Sequence, residues 1–285
     1  MKPPRFEYVR PESVEEALAV LAEHGDDAKV LAGGQSLVPM LNMRLASPGV
    51  VVDVNRIPDL DGIAEVDGAV RAGALVRQAA FERSDVVRRR LPLVAECLPH
   101  VGHFVTRNRG TVGGSIAHGD AKAELSLTLL AHGGTAVVRS ARGERTIPAE
   151  ELFVTHYTTS LEPDELLVAT LWPDRGAAVA FEEFALRAGD YALAMAACVL
   201  GAQDRRVTHA IVTVGGPHDR PSVMKAGDHL IGQEVSPSLA REIGQAARAE
   251  VDPADSLHAS AAYQRHLVGL LVERAVLRAW RSAPA

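Results

Sequence analysis

Two glycine-rich segments carry the residue types in this sequence that point most clearly to a bound ligand. The first reads KVLAGGQSLVPMLNMRL (29–45) and the second RNRGTVGGSIAHGDAKAEL (107–125), about eighty residues further on. In each segment two adjacent glycines are followed within two residues by a serine. Adjacent glycines permit positive φ and close approach of a ligand to the backbone, and a concave row of N–H groups binds anions such as phosphate. Two such rows predict a ligand with an extended polyphosphate, gripped from two sides.

Neither segment matches a common nucleotide-binding pattern. The sequence has no GxxxxGK[ST] and no GxGxxG between a strand and a helix, which argues against a phosphate loop with a lysine and against an ordinary dinucleotide fold. The segments instead resemble the flavin subunits of the molybdenum hydroxylases, in which the patterns run close to AGGxSLxPxxxxRL and RNRGTxGGSxAxADPAAxL. The resemblance includes the medium subunit of aerobic carbon monoxide dehydrogenase and the flavin domain of xanthine dehydrogenase. It continues through YTTSLEPDELL (157–167) and LRAGDYA (186–192), and so covers most of the chain.

Composition indicates a globular enzyme component. The chain has 285 residues, of which 47% are hydrophobic and 23% charged, and its net charge is −6. A negative charge makes nucleic acid an unfavourable partner, and no apolar run reaches the length of a membrane span. The segment MKPPRFEYVRP lacks a hydrophobic signal region, so we expect a cytoplasmic protein.

The cysteine count restricts the redox chemistry. Cys97 and Cys198 are far apart and neither belongs to a CxxC pair. A [2Fe–2S] cluster needs four protein ligands, usually cysteines, so any iron–sulfur centre in the electron path must lie on another polypeptide. Both cysteines are interpreted as small core residues. The histidines show no metal-ligand spacing, and no metal site is predicted.

Alternating helices and strands must position the two glycine segments. Ser13 precedes an apolar helical stripe with Glu16 three residues on, the capping-box spacing. The pattern predicts strands over 28–31 and 50–54, a series of helices between 75 and 132, and later a helix over 221–231 and two more near the end of the chain. The run WPDRGAA near 172–178 combines proline and glycine between apolar strands, which favours a domain boundary there.

The resemblance gives this organisation a fold class. It implies an α+β protein in which a two-subdomain, PCMH-like FAD-binding fold is followed by a small α/β C-terminal domain. The FAD-binding domain would span 1–176, with subdomains of about 1–56 and 57–176, and the C-terminal domain would span 177–285. FAD would lie between the two subdomains, with one glycine segment on each side of it.

The predicted cofactor-binding residues follow from these motifs. Tight turns are the alternative explanation for the glycines, and a solvated loop position is the alternative for Gln35. The first segment contributes Leu31, Ala32, Gly33, Gly34, Gln35, Ser36 and Leu37, and the second contributes Thr111, Val112, Gly113, Gly114 and Ser115.

Further candidates lie outside the glycine pairs. His118 and Asp120 stand where the family has His-Ala-Asp-Pro, but the run here is HGDAK, and both residues have a structural alternative. Glu124 stands where the family has an acidic residue that hydrogen-bonds the cofactor, and it also suits a helix N-terminus. Leu167 ends the YTTSLEPDELL motif, and it is assigned to the cofactor site by the resemblance alone.

The LRAGDYA motif supplies the last two candidates. Tyr191 stands where relatives carry an aromatic residue close to the isoalloxazine, with core packing as the alternative. Arg187 would pair with the cofactor or cap a strand. Ala185 replaces a lysine found in several relatives, so that contact is not expected here.

The resemblance implies electron transfer rather than substrate hydroxylation on this chain. Substrate would be oxidised at a molybdopterin cofactor on a large subunit, and electrons would pass through a [2Fe–2S] small subunit to FAD and then to an external acceptor. No catalytic side chain is therefore predicted, because the flavin is the reactive group. Two alternatives remain open: a stand-alone FAD-dependent oxidase or dehydrogenase, and a non-redox scaffold with a degenerate flavin fold.

Overall fold

Three main sheets, each with its own helices, follow one another along the chain in the computed structural model, which describes residues 2–283, and a two-stranded sheet lies within the second part. The first sheet is parallel, with strand order β1-β3-β2. Its elements are β1 (Glu7–Val9), α1 (Val14–His24), β2 (Ala28–Leu31), α2 (Leu37–Met43) and β3 (Val50–Asp53).

The expected capping of α1 is confirmed. The Ser13 hydroxyl accepts a hydrogen bond from the Glu16 N–H at 3.1 Å, and the Glu16 carboxylate accepts one from the Glu12 N–H at 2.8 Å. The predicted strands over 28–31 and 50–54 are confirmed as β2 and β3. Because both are parallel strands, their carboxyl ends meet at one edge of the sheet, and the first glycine segment starts there.

The second sheet is antiparallel, and six helices are inserted between two of its strands. The strand order is β4-β5-β10-β6-β7. The chain runs through β4 (Ile63–Val66) and β5 (Ala69–Gly73), then α3 (Gln78–Arg83), α4 (Asp85–Arg90), α5 (Pro92–Cys97), α6 (Phe104–Arg109), α7 (Val112–His118) and α8 (Glu124–Ala131). It continues with β6 (Thr135–Ser140), β7 (Gly143–Pro148), α9 (Ala149–Leu152), the hairpin of β8 (Phe153–Thr155) and β9 (Thr158–Thr159), and β10 (Leu166–Pro173).

The third sheet is antiparallel and covered by the two last helices. It comprises β11 (Ala178–Phe184), β12 (Ala194–Gln203), β13 (Arg206–Gly215) and β14 (Ser222–Val223), followed by α10 (Pro237–Glu250) and α11 (Ala261–Ser282). The predicted helix over 221–231 is wrong. Residues 222–223 pair with β13, the Met224 N–H donates to the Val212 carbonyl at 2.8 Å, and only a 3-10 helix (Lys225–Leu230) follows.

One hydrophobic core joins the second and third sheets. Leu125 of α8 and Trp172 of β10 belong to the same buried cluster as Phe181 and Met195 of the third sheet. In this region α8 lies against β12 and β13. Cys97 and Cys198 are fully buried and unpaired, as small core residues. Within residues 2–283, no helix combines the length and the apolar character that crossing a membrane requires.

A buried histidine makes the stability of this core sensitive to acid. His132 is 1% exposed, its Nδ1 lies 2.9 Å from the Pro173 carbonyl oxygen, and burial lowers its pKa to about 4. The unfolded chain has a histidine pKa of about 6.5, so between pH 6.5 and pH 4 the unfolded state binds the extra proton. We therefore expect a loss of about 3 kcal/mol as the pH falls through that window, and no further loss from this group below it.

Urea unfolding of wild type and His132→Gln at several pH values would measure the contribution of His132 to the free energy of unfolding. The variant should be less stable at pH 7, because the Pro173 contact is altered, but its stability should fall less steeply between pH 6.5 and pH 4. Equal slopes in the two proteins would show that His132 does not titrate in this way.

Candidate cofactor site

The first glycine segment forms a loop whose N–H groups are left free by the fold. It connects the end of β2 at Leu31 to the start of α2 at Leu37, and Gly34 has φ 72°. Among the hydrogen bonds within residues 2–283, none is donated by the N–H groups from Ala32 to Ser36. Successive free N–H groups at the carboxyl edge of a parallel sheet suit an anion. The first predicted row of donors is therefore present.

The second segment differs from the expectation, because its N–H groups are used within the protein. Val112 donates to the Val76 carbonyl at 2.9 Å and Gly113 to the Ala74 carbonyl at 3.0 Å. The next two N–H groups donate to the hydroxyl and the carbonyl oxygen of Thr111, at 3.0 and 3.1 Å. The prediction of a second free row of donors is wrong. This segment caps α7 and fastens it to the chain that follows β5.

The two segments touch each other at Gly33. A Cβ added to this buried residue would lie 2.7 Å from the Gly110 Cα and closer still to the Arg109 carbonyl oxygen. Only glycine permits this approach, because backbone atoms on the other side leave no room for a side chain. Gly33 therefore sets the spacing between the two segments.

A polar network that sequence analysis missed holds this contact in place. The Asn55 amide, just after β3, donates to the Ala32 carbonyl at 2.7 Å and to Asp53 Oδ1 at 2.7 Å. The Arg77 guanidinium donates to Asn55 Oδ1 at 2.7 Å and to the Arg109 carbonyl at 2.6 Å. These bonds link the end of the parallel sheet to the second segment. Their partners are distant in sequence, so no local motif marks them.

The polar side chains of the two segments take different roles. Gln35 is exposed and its amide donates to the Gly33 carbonyl at 3.2 Å, while Ser36 makes no capping bond to α2. Thr111, which is 2% exposed, is the N-cap of α7. Ser115 is half-buried in the first turn of that helix.

An aromatic pair lies where α7 ends. The His118 and Tyr157 rings are 4.8 Å apart between centroids, and the Tyr157 N–H donates to the Gly119 carbonyl at 3.0 Å. Tyr157 has φ 54°, an unusual conformation for a bulky residue, in the turn between β8 and β9. Burial lowers the pKa of His118, so the imidazole is neutral at pH 7. Tyr157 belongs to the YTTSLEPDELL motif, but it was not singled out from the sequence.

Two acidic residues and Tyr191 lie beside this aromatic pair. Asp120 is buried and accepts the Lys122 N–H at 2.9 Å. Burial raises the pKa of Glu124 to about 8. Tyr191 is 65% exposed, so the core interpretation of this residue is wrong. The pKa of Tyr191 is raised by partial burial and then by Asp120, Tyr157 and Glu124, which groups its hydroxyl with these residues.

Leu167 and Arg187 are the predicted site residues that the structure ties least to the others. Leu167 is 5% exposed and belongs to the hydrophobic core that also contains Ile116 of α7. Arg187 is exposed, and it forms no salt bridge with the residues that the structure describes. Its carbonyl accepts the Asp190 N–H at 3.1 Å, in the turn that leads to Tyr191.

The geometry combines a loop with free N–H groups, a close contact between the two glycine segments, and a cluster of aromatic and acidic groups. Family comparison gives these features a context. Residues 4–175 match the family described as the FAD binding domain in molybdopterin dehydrogenase, and residues 179–279 match the CO dehydrogenase flavoprotein C-terminal domain.

Individual relatives match over nearly the whole chain. The 6-hydroxypseudooxynicotine dehydrogenase complex subunit alpha of Paenarthrobacter nicotinovorans is 41% identical over 99% of this chain and 97% of its own. A solved carbon monoxide dehydrogenase from Hydrogenophaga pseudoflava superimposes with a TM-score of 0.96 and 37% identity, over 99% of both chains. Quinoline 2-oxidoreductase from Pseudomonas putida 86 gives 0.95 and 35%, again over 99% of both chains. The implied α+β fold is therefore confirmed.

Proposed function

The chain belongs to the family of FAD-binding subunits of the molybdopterin dehydrogenases, and we propose that it passes electrons from iron–sulfur clusters on a partner subunit, through FAD, to an external acceptor. Because the members of this family are FAD-binding subunits of oxidoreductases, this chain is one as well. One observation carries the proposed site: the N–H groups from Ala32 to Ser36 donate to no group within residues 2–283. Gly33 is buried and Ala32, Gly34 and Ser36 are half-buried, so their N–H groups need an acceptor, and the pyrophosphate of FAD would supply one.

The first glycine loop is proposed to bind the pyrophosphate. Hydrogen bonds from backbone N–H groups to charged oxygens are roughly twice as strong as neutral ones. Free donors that the fold already orients need no rearrangement before they bind, which keeps the cost of binding low. Gly33 keeps the loop against the second segment, and Gly34 supplies the positive φ that turns the chain. The proposed contacts of this loop are Leu31, Ala32, Gly33, Gly34, Gln35, Ser36 and Leu37.

The second segment is proposed to form the opposite wall of the cleft. Its donors are already bonded, so it acts by shape: Gly114 and Ser115 are half-buried at the start of α7, and Thr111 caps that helix. Small residues at this position let the cofactor lie close to the helix. The proposed contacts are Thr111, Val112, Gly113, Gly114 and Ser115, with Leu167 and Arg187 as less direct contributors.

The flavin ring is proposed to lie beside the aromatic and acidic cluster. Tyr191 and Tyr157 present exposed rings for stacking. The His118 ring packs against Tyr157, with their centroids 4.8 Å apart. Asp120 and Glu124 are polar groups that a flavin can hydrogen-bond. The flavin itself supplies the redox chemistry, since it accepts electrons one at a time and passes them on in pairs. The side chains bind and orient the ring and limit its contact with water.

We further propose two partner subunits, one carrying [2Fe–2S] clusters and one carrying molybdopterin. The only two cysteines of the chain are buried and lie apart, so they cannot hold a cluster. A relative that forms part of a dehydrogenase complex supports an assembly of several chains. Such an assembly suits the reducing cytoplasm, where thiols stay reduced. The proposed domain division at 176/177 falls between β10 and β11.

Titration of the purified chain with FAD tests the central claim. We expect non-covalent binding in about a 1:1 ratio, seen as a yellow protein that releases intact FAD on denaturation. A colourless protein that gives no heat on addition of FAD would overturn the proposal. Purification of a tagged chain at its native expression level tests the partners: two co-purifying subunits support the assembly, and their absence favours a stand-alone flavoprotein.

Tyr191→Ala should change the flavin environment more than the affinity. An aromatic stacking contact contributes on the order of 1 kcal/mol beyond burial, so FAD binding should weaken by roughly fivefold. The flavin absorption spectrum should shift, and reoxidation by oxygen should become faster because the ring loses its cover. Tyr191→Phe should retain most of the binding and the spectrum.

The exposed Tyr263 offers a matched control, since it lies on α11. Tyr263→Ala should leave both the spectrum and the reoxidation rate as in wild type. If Tyr191→Ala also matches wild type in both measurements, Tyr191 does not lie against the ring.

A further inference from the structure

The turn that carries Tyr191 packs on a short segment of the FAD-binding domain. It joins β11 to β12, and within residues 2–283 no backbone hydrogen bond links residues 186–191 to that domain. Contact is made instead at Gly189, which has φ 83°. A Cβ added there would lie 2.6 Å from His103 Cε1 and 3.0 Å from the Gly102 carbonyl oxygen. Packing at Gly189 therefore sets where this turn, and with it Tyr191, stands relative to the FAD-binding domain.

The segment that receives the turn, residues 101–103, lies outside helices and strands and is held by an arginine. It links a 3-10 helix to α6, and Gly102 has φ 49°. The Arg107 guanidinium of α6 donates from Nη1 to the Val101 carbonyl at 3.1 Å and to the Gly102 carbonyl at 3.3 Å. The Gly102 carbonyl oxygen is thus approached by Arg107 and by Gly189.

Glu82 fixes the orientation of Arg107. The Glu82 carboxylate, on α3, accepts hydrogen bonds from Arg107 Nε at 2.8 Å and from Nη2 at 3.5 Å, and the Arg107 side chain is 12% exposed. A planar guanidinium that is paired with a carboxylate keeps its remaining N–H groups in fixed directions. Here they reach the two carbonyl groups, so α3, α6 and residues 101–102 are joined through one side chain. A lysine lacks the planar fork and cannot reproduce this arrangement.

We propose that Arg107 is a positioning residue for Tyr191: held by Glu82, it fixes residues 101–102, and these residues seat the turn at Gly189. Arg107 stands in the RNRG motif, and it is not among the proposed cofactor contacts. It acts on the flavin only through the turn. The effect on the flavin rests on the proposed site of the ring, whereas the seating of the turn does not, so the two can fail separately.

A purely structural role for Arg107 is the competing explanation. Its pair with Glu82 would then only join α6 to α3, and its loss would lower stability without affecting Tyr191. The geometry favours seating, because Arg107 also bonds two carbonyl groups that belong to neither helix. One of these carbonyl groups is the one that Gly189 approaches.

The first experiment follows Tyr191 in FAD-free protein labelled with 3-fluorotyrosine. The chain has four tyrosines, so ¹⁹F NMR gives four signals, and Tyr191→Phe identifies one of them. In Arg107→Met this signal should shift and narrow, because the turn loses its seat and moves more freely. The Tyr8 signal should stay in place, since its hydroxyl donates to Asp53 at 2.5 Å. An unchanged Tyr191 signal in folded Arg107→Met would overturn the proposal.

Arg265→Met is the matched control. Arg265 also combines a carboxylate, that of Asp252, with a backbone carbonyl, that of Val251 at 3.2 Å, but it joins α11 to the chain that follows α10. Its loss should leave the Tyr191 signal as in wild type. Arg107→Lys keeps the charge without the fork, and it should move the signal as Arg107→Met does. A wild-type signal in Arg107→Lys would show that charge alone is enough, and would overturn the role of the two carbonyl bonds.

Gly189→Ala disturbs the same contact from the other side, and it serves as the test if Arg107→Met does not fold. The added Cβ would meet His103 and hold alanine at φ 83°, so the turn must leave its seat while Arg107 keeps its bonds. The Tyr191 signal should again shift. A wild-type signal in this variant would show that other contacts place the turn, and would overturn the proposal.

The second experiment combines the variants in FAD-loaded protein. Arg107→Met should shift the flavin absorption spectrum and quicken reoxidation by oxygen to the rate of Tyr191→Ala, because the tyrosine ring no longer covers the flavin. Adding Arg107→Met to Tyr191→Ala should change neither measurement further, since no ring is left to position. Additive effects would show that Arg107 acts on the cofactor by another route, and would overturn the positioning role.

The two experiments also separate this inference from the proposed function. Arg265→Met should keep the wild-type spectrum and reoxidation rate. Failure of wild type to bind FAD would overturn the proposed function, while the ¹⁹F signal of FAD-free protein would still decide whether Arg107 seats the turn.

Discussion

Gly33→Val should abolish measurable FAD binding and leave a folded protein. The new Cβ would lie 2.7 Å from the Gly110 Cα and closer still to the Arg109 carbonyl, so the loop must move away from the second segment. The N–H groups from Ala32 to Ser36 donate to no group within residues 2–283, so the movement breaks few bonds, chiefly the one from Asn55 to the Ala32 carbonyl. It would displace every proposed pyrophosphate donor together. We expect a loss of at least a hundredfold in affinity by calorimetry, with an unchanged circular dichroism spectrum.

The control for this prediction is Gly68→Asn in the turn between β4 and β5. Gly68 has φ 76°, which asparagine tolerates, and a side chain there meets no atom within 4 Å. This variant should bind FAD as wild type does. A folded Gly33→Val protein with wild-type FAD affinity would show that the first loop is not the pyrophosphate site. Gly33→Val also tests the scaffold alternative. If the chain is only a scaffold, assembly and substrate turnover should survive the loss of flavin.

The local parts of the fold were predictable because short-range chemistry determines them. Ser13 and Glu16 marked the start of α1, and an apolar run followed by adjacent glycines marked β2 and the loop after it. The free N–H row follows from the same local pattern, since a loop between a parallel strand and a helix leaves donors unpaired. The family motifs predict FAD at this loop, which no local property of the residues does by itself.

The hydrogen-bond partners of the second segment could not be predicted from local sequence patterns. Its glycines resemble those of the first, yet the Gly113 N–H donates to the Ala74 carbonyl, which follows β5. This partner lies far away in sequence, so the pattern alone cannot tell a free donor from a bonded one. The same reason hid Asn55 and Arg77, whose roles depend on carbonyl groups of other elements. The helix predicted over 221–231 failed likewise, because pairing with β13 overrides a weak helical pattern.

The hydrogen bonds of the second segment change the expected effect of a mutation in its glycine pair. A row of free donors would make Gly113→Val a cofactor-binding defect, with the protein itself intact. In the structure, Gly113 is buried, and an added Cβ would lie 2.6 Å from the Ala74 Cα and 2.8 Å from its carbonyl oxygen. Neither neighbour can yield, because both are backbone atoms in the turn that follows β5. The substitution must therefore separate α7 from that turn.

Gly113→Val should accordingly destabilise the protein even without FAD. Separation would also break the Gly113 hydrogen bond to Ala74 and strain the Val112 bond to Val76, both of them buried. Overpacking at such a site costs about 3 kcal/mol, and each buried donor left unpaired adds about 1–3 kcal/mol, so most of the stability of an ordinary domain would be lost. We expect mostly insoluble protein, or a markedly lower urea midpoint in FAD-free preparations.

Comparison with Gly33→Val makes this expectation specific. Both variants place valine at a glycine that touches backbone atoms, but only Gly113 has its N–H bonded inside the fold. FAD-free Gly33→Val should therefore lose less stability than FAD-free Gly113→Val. Gly113→Ala should show a smaller loss in the same direction, since the clash begins at Cβ. A Gly113→Val protein with wild-type stability that lacks only FAD binding would show that the contact with Ala74 is not essential, and that the second segment meets the pyrophosphate directly.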